Sequence, residues 1–120
     1  MTIPGHRHER VAEEMRHELS VMVSGELKDP RIATLVTVTE VRVTPDLKLA
    51  RVFVSVLGSA AEQASTMKGL AAAAGYMRHE VCQRLALRRG PEILFVLDRS
   101  EEYSQRIEEL IRETKKQERE

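Results

Sequence analysis

The 120-residue sequence lacks the features that define several protein classes. It contains a single cysteine, Cys82, which excludes an internal disulfide framework and favours a reducing compartment. No apolar run approaches the roughly 18 residues needed to span a bilayer. The N-terminal sequence MTIPGHRHER also lacks the apolar stretch of a secretory signal. We therefore expect a cytoplasmic protein without a membrane partner.

The residue groupings that catalysis and metal binding require are also missing. Asp29 and Asp46 adjoin prolines and Asp98 precedes a predicted helix, so turn and capping roles account for all three. The histidines near the N-terminus have no cluster of cysteine or aspartate beside them. No glycine-rich phosphate loop is present. We expect no enzymatic activity, no metal and no cofactor.

Net charge is absent as well, because 19 basic residues balance 19 acidic ones. This balance argues against tight nucleic-acid binding by charge alone. Within residues 75–91, however, there are four arginines and one glutamate: Arg78, Arg84, Arg88 and Arg89, and Glu80. Such an excess is either a solvated helix face or an anion-binding surface. Lys48 and Arg51 are candidates to extend that surface.

Periodic apolar residues predict a helix at each end of the chain. The first helix begins after Pro4-Gly5, and a single apolar stripe contains Val11, Met15, Leu19, Met22 and Val23. The last helix begins at Ser100, which we predict to be its N-cap. Residues 1–111 should form one domain, and residues 112–120 are polar and are expected to be a frayed tail.

Three segments predict strands: 33–44, 49–57 and 92–98. The first two should pair antiparallel across a turn at Pro45 and Asp46. Apolar residues of the first strand change face between Thr37 and Thr39, which indicates a β-bulge there. Of the four aromatic residues in the sequence, only Phe53 should point outward from the sheet. Base-specific reading of single strands by stacking is therefore not expected.

The segment between the second and third strands predicts a pair of helices. Ser59 and Glu62 form a capping box that begins the first of them. The sequence LAAAAGYMRHEV then places Gly75 inside a strong helical pattern, where glycine costs about 0.8–1 kcal/mol relative to alanine. We predict a break at Gly75, a second helix over 76–87, and a C-cap at Gly90.

This order predicts an α+β fold: helix, strand, strand, helix, kink, helix, strand, helix. The crossover should return beside the sheet and give a three-stranded mixed sheet with helices packed on one face. The order matches a type II KH domain. KH domains clamp a nucleic-acid backbone with a GxxG loop, which this sequence lacks, because Ala73-Ala74-Gly75 stands at the joint.

Several blocks resemble the ribosome-binding factor A family of bacterial small-subunit assembly factors. These blocks are ELKDPRIATLVTVTEVRVTPDLKLARVFVSVLG at 26–58, the AAG joint at 73–75 followed by YMR, and LRRGPEILFVLDRS at 87–100. The similarity covers about residues 5–110 in the order and spacing of the family. It implies a KH-like fold in which an alanine–glycine kink replaces the usual clamp.

The resemblance implies a function without a chemical step. The protein would bind the free small (30S) ribosomal subunit and assist late maturation of 16S rRNA, as a monomer. An RNA backbone could approach Ala73, Ala74 and Gly75, since no side chain at Gly75 blocks it. Alternatively, these small residues serve packing alone. The competing interpretation of the whole chain is a protein–protein adaptor on a KH-like scaffold without RNA contact.

Overall fold

The computed structural model describes residues 7–32 and 35–118. Its elements, in chain order, are α1 (Arg7–Val21), a π-helical turn (Met22–Glu26), β1 (Val36–Val43), β2 (Leu49–Val56), α2 (Ala60–Arg84), β3 (Glu92–Leu97) and α3 (Ser100–Glu118). His6, one of the N-terminal histidines for which no metal is expected, lies outside the described residues.

The three strands form one mixed sheet in the order β1-β2-β3. β1 and β2 are antiparallel, whereas β2 and β3 are parallel. The register shifts between Val38 and Glu40, so Thr39 is the extra residue of a β-bulge. The predicted pairing and bulge are confirmed, because the change of face in the valine–threonine pattern requires one inserted residue.

The core lies between the helices and one face of the sheet. The predicted apolar stripe, which continues from α1 into the π-helical turn, is buried there, as are Leu70, Met77 and Val81 of α2. β2 contributes Ala50, Val52, Val54 and Val56, while Arg51 on the other face is exposed. The predicted fold class, α+β with a three-stranded mixed sheet covered on one face, is confirmed.

The break predicted at Gly75 is absent, because α2 is a continuous helix from Ala60 to Arg84. Glycine at this position costs only about 1 kcal/mol. The alanines before it favour helix, and buried side chains on both sides of it, Leu70 and Met77, anchor the helix to the core. Together these terms outweigh the cost of one glycine. The described joint is therefore an uninterrupted helix that contains Gly75.

The two ends of α2 differ from one another in how well the sequence predicted them. The capping box of Ser59 and Glu62 is present and confirmed. The C-cap is not Gly90: the helix ends at Arg84, and Ala86 adopts a left-handed conformation with φ of 53°. The N–H of Leu87 donates to Cys82 O at 2.9 Å and that of Ala86 to Gln83 O at 3.3 Å. This is a Schellman motif with alanine in the position that glycine usually takes.

The last helix continues to Glu118 rather than ending near Arg112. Ser100 is not its cap: the backbone N–H of Ser100 donates to Asp98 Oδ1 at 2.9 Å, and the hydroxyl of Ser100 donates to the same oxygen. Asp98 therefore holds the start of α3, in agreement with its predicted capping role. These bonds lower the pKa of Asp98, first through the Ser100 hydroxyl.

Candidate nucleic-acid interface

Four of the predicted basic residues line one concave surface at the end of the sheet where β2 and β3 begin. These residues are Lys48, Arg78, Arg88 and Arg89, and Arg7 of α1 joins them. The cavity has a volume of about 570 Å³. We call it the basic basin, whose full lining is Arg7, Asp46, Leu47, Lys48, Arg78, Leu87, Arg88, Arg89, Gly90 and Glu92. Five cations and two carboxylates thus share one surface, which favours the binding of anions.

The β1–β2 turn positions Lys48 at the basin. Asp46 Oδ1 accepts hydrogen bonds from the Thr44 hydroxyl at 2.7 Å and from the Lys48 N–H at 3.1 Å. These bonds lower the pKa of Asp46, the Thr44 hydroxyl having the larger effect. Leu47 within this turn has a positive φ of 61°. The predicted turn role of Asp46 is confirmed, and its carboxylate stays ionised beside the cations.

Arg78 fixes the loop that carries Arg88 and Arg89. Its Nε donates a hydrogen bond of 2.7 Å to the carbonyl oxygen of Gly90. Gly90 is buried against α2, and a Cβ there would lie 3.0 Å from Arg78 O. The glycine is therefore needed for close approach of the loop to the helix. The left-handed turn at Ala86 directs the chain back so that Arg88 and Arg89 reach the basin.

Arg84 is not part of the basin. It forms ion pairs with Glu26 at 2.7 Å, Glu18 at 3.3 Å and Glu80 at 3.3 Å. These carboxylates, Glu26 first, raise the pKa of Arg84 further above its ordinary value. The residue connects α1, the π-helical turn and α2, so its charge is neutralised within the molecule. The arginine excess over residues 75–91 therefore divides into three basin residues and one structural ion-pair centre.

The remaining predicted residues lie elsewhere. Arg51 is on the open face of the sheet, directly opposite Arg42. Ala73 and Ala74 are half-buried and pack against the core, whereas Gly75 is exposed, and a Cβ there would meet nothing within 4 Å. Tight packing therefore does not explain Gly75. Its N–H also belongs to a continuous helix, so the predicted second helix has no free N-terminus at this point that could bind a phosphate.

Several basin residues have no signal in the sequence that marks them as site residues, among them Arg7, Leu47 and Leu87. Arg7 is distant in the chain from the arginines of residues 78–89 and reaches them only because α1 packs beside α2. Leu47 and Leu87 looked like ordinary turn and helix residues, yet both are half-buried and line the cavity. Leu47 itself has a left-handed backbone conformation, and Leu87 follows the left-handed turn at Ala86. No one-dimensional pattern contains that information.

The fold and the basin define a small KH-like domain with a concave basic surface, a class that includes RNA-binding modules. The sequence matches the family described as ribosome-binding factor A over residues 7–111. The chain therefore belongs to the ribosome-binding factor A family, which confirms the resemblance. It is 47% identical over 113 residues to ribosome-binding factor A of Caldanaerobacter subterraneus subsp. tengcongensis, covering 94% of this chain and 93% of that protein.

Solved structures of the family share the fold. The crystal structure of ribosome-binding factor A from Thermus thermophilus superposes with a TM-score of 0.66 at 22% identity, covering 75% of this chain and 93% of that one. A homology model of the Thermus thermophilus protein was fitted into a cryo-EM map of a 30S complex. It gives a TM-score of 0.58 at 23% identity and covers 80% of this chain and 96% of that one.

Within residues 7–32 and 35–118, none of the helices combines the length and the apolar character that crossing a bilayer would require. The matched family and the curated relative are both described as ribosome-binding factors.

Proposed function

We propose that this protein binds the free 30S subunit and assists late maturation of 16S rRNA by non-catalytic RNA binding. The observation that carries the proposal is the basic basin, which gathers Arg7, Lys48, Arg78, Arg88 and Arg89 on a chain of this family. A basin of this kind suits phosphates of the RNA backbone, because charged donors bind them without reading bases. The protein would act in the cytoplasm as a monomer.

The overall charge of the chain suits a binder that recognises shape. With 19 basic and 19 acidic residues, the molecule has no long-range attraction for RNA in general. Binding should therefore depend on a preformed RNA surface that fits the basin. By preferring one rRNA conformation, the protein would shift the population toward it, and no bond needs to form or break. Gly75 is three residues before Arg78 and would let a strand pass close to α2.

Co-sedimentation with purified 30S subunits tests this proposal. In the variant K48A/R88A/R89A, the loss of three phosphate contacts should lower the amount of protein in the 30S fraction. The slope of log affinity against log salt should become shallower by about 2–3. All three side chains are exposed, so the melting temperature should change little.

A charge-matched control comes from α3. The variant R106A/R112A/K115A also removes three exposed cations, and it should sediment like the wild type. Unchanged sedimentation of the basin variant, with loss in the α3 variant, would contradict the proposal and favour the adaptor interpretation.

A further inference from the structure

We propose that the basic basin seats one unpaired nucleotide of an RNA strand, with its phosphate among the cations and its base against Leu47 and Leu87. This inference rests on the proposed function, since it names the part of an RNA that the same site takes. It goes further by assigning a base-binding role to apolar residues and a selective role to a carboxylate.

The shape of the basin exceeds what a phosphate alone requires. A flat cluster of lysine and arginine is enough to bind a duplex backbone. Here the cations surround a cavity of about 570 Å³, which is in the range of small-ligand sites. Such a volume accommodates a base and its sugar together with the phosphate.

The apolar part of the basin consists of Leu47 and Leu87. Both side chains pack against the core on one side and line the cavity on the other. Leu47 occupies a left-handed backbone conformation, with φ of 61°, that asparagine or glycine adopts more easily. Strained residues of this kind cluster at ligand sites. The leucine supplies what asparagine would not, an apolar surface on which a base can lie.

The two carboxylates favour an unpaired nucleotide over a duplex. Asp46 already accepts bonds from Thr44 and Lys48, and Glu92 is exposed at the same cavity. A row of duplex phosphates would be repelled by both. A single nucleotide instead offers one phosphate to the cations and the donor groups of its base edge to a carboxylate.

Fluorescence anisotropy with defined RNAs tests the inference. The probes are a labelled RNA octamer of mixed sequence, rich in G and C and not self-complementary, the same strand annealed to its complementary octamer, and unlabelled uridine 5′-monophosphate as competitor. We expect the wild type to bind the single strand about tenfold more tightly than the duplex, because only an unpaired base can bury apolar area against Leu47 and Leu87. The L47N variant keeps the left-handed turn and removes the Leu47 part of the apolar surface, while Leu87 remains. It should lose most of the preference for the single strand.

Charge reversal provides the second arm. The R88E/R89E variant should lose about tenfold or more in affinity for both RNAs. The R106E/R112E variant, with the same change of net charge on exposed positions of α3, should behave like the wild type. Far-ultraviolet circular dichroism and melting curves establish that each variant is folded.

Three results would overturn the inference: duplex bound as tightly as single strand, no effect of L47N, or no effect of R88E/R89E. Displacement of the octamer by equimolar uridine 5′-monophosphate would overturn the RNA strand as the source of the nucleotide. The same variants are then sedimented with 30S subunits. If the basin variant loses 30S binding while the octamer results fail, the nucleotide inference alone is wrong and the proposed function stands.

Discussion

At Ala86 the backbone adopts a conformation that glycine takes more readily than alanine, and the whole C-terminal end of α2 depends on it. This residue closes the Schellman motif that directs residues 87–90 toward the basin. The sequence RRGP suggested Gly90 for that role, because glycine is the common C-cap. Gly90 instead allows the loop to approach Arg78. The sequence therefore indicated that Gly90 has a structural role, but it did not show that this role is contact with Arg78 rather than the end of the helix.

Replacing Ala86 by glycine should stabilise the protein. The Cβ of alanine is strained in the left-handed region, and glycine relieves this strain. The free energy gained exceeds the cost of the added entropy of the unfolded chain by about 0.5–1 kcal/mol. The melting temperature should rise by about 3–5 °C. Ala72→Gly, at an exposed position inside α2, is the control and should lower it. A fall for both variants would show that Ala86 is unstrained.

At the scale of elements, α2 shows which features could be predicted from the sequence and which could not. Strand periodicity and the capping box located β1, β2 and the start of α2, because these signals are local. The cost of Gly75 was also local, but the packing of Leu70 and Met77 that overrides it is tertiary. Gly69, which had no distinguishing signal, is the close contact: a Cβ there would lie 2.8 Å from Ile32 Cγ1.

Alanine substitutions at these two glycines should have opposite effects. Gly75→Ala adds a methyl group in open space within a continuous helix and should stabilise by about 0.8–1 kcal/mol. Gly69→Ala forces Ile32 and Arg31 to move and should destabilise by about 1–3 kcal/mol. Chemical denaturation measures both. Destabilisation by Gly75→Ala would mean that α2 is broken there in solution.

At the scale of the whole molecule, four separate carboxyl groups connect stability to pH. The pKa values of Glu13, Asp29, Asp46 and Asp98 are all lowered, in each case mainly by a side-chain hydrogen bond. The largest effect is at Asp29, where the Arg31 side chain lowers the pKa to about 2. Each group lies in a different part of the chain. The basin also contains residues from distant segments of the chain. Most of its arginines could therefore be proposed from the sequence, whereas their assembly into one surface could not.

Acid should therefore reduce stability gradually. Because the folded-state pKa of Asp29 lies below its ordinary value of 3.8, its contribution is complete above about pH 4 and is lost as pH falls toward 2. The difference in melting temperature between wild type and Asp29→Asn should shrink across that interval. Glu109→Gln on exposed α3 is the control, and its difference should stay small. A constant difference for Asp29→Asn from pH 7 to pH 2 would contradict this account.

The bond between Arg78 and Gly90 has one more consequence. A guanidinium has five N–H donors, and the Gly90 carbonyl takes one of them. Four N–H groups remain for a ligand, so the same side chain both holds the loop in place and presents hydrogen-bond donors to the solvent. A lysine in its place would keep the charge but lose the hydrogen bond from Nε to Gly90, and Arg88 and Arg89 would no longer be held at a fixed spacing.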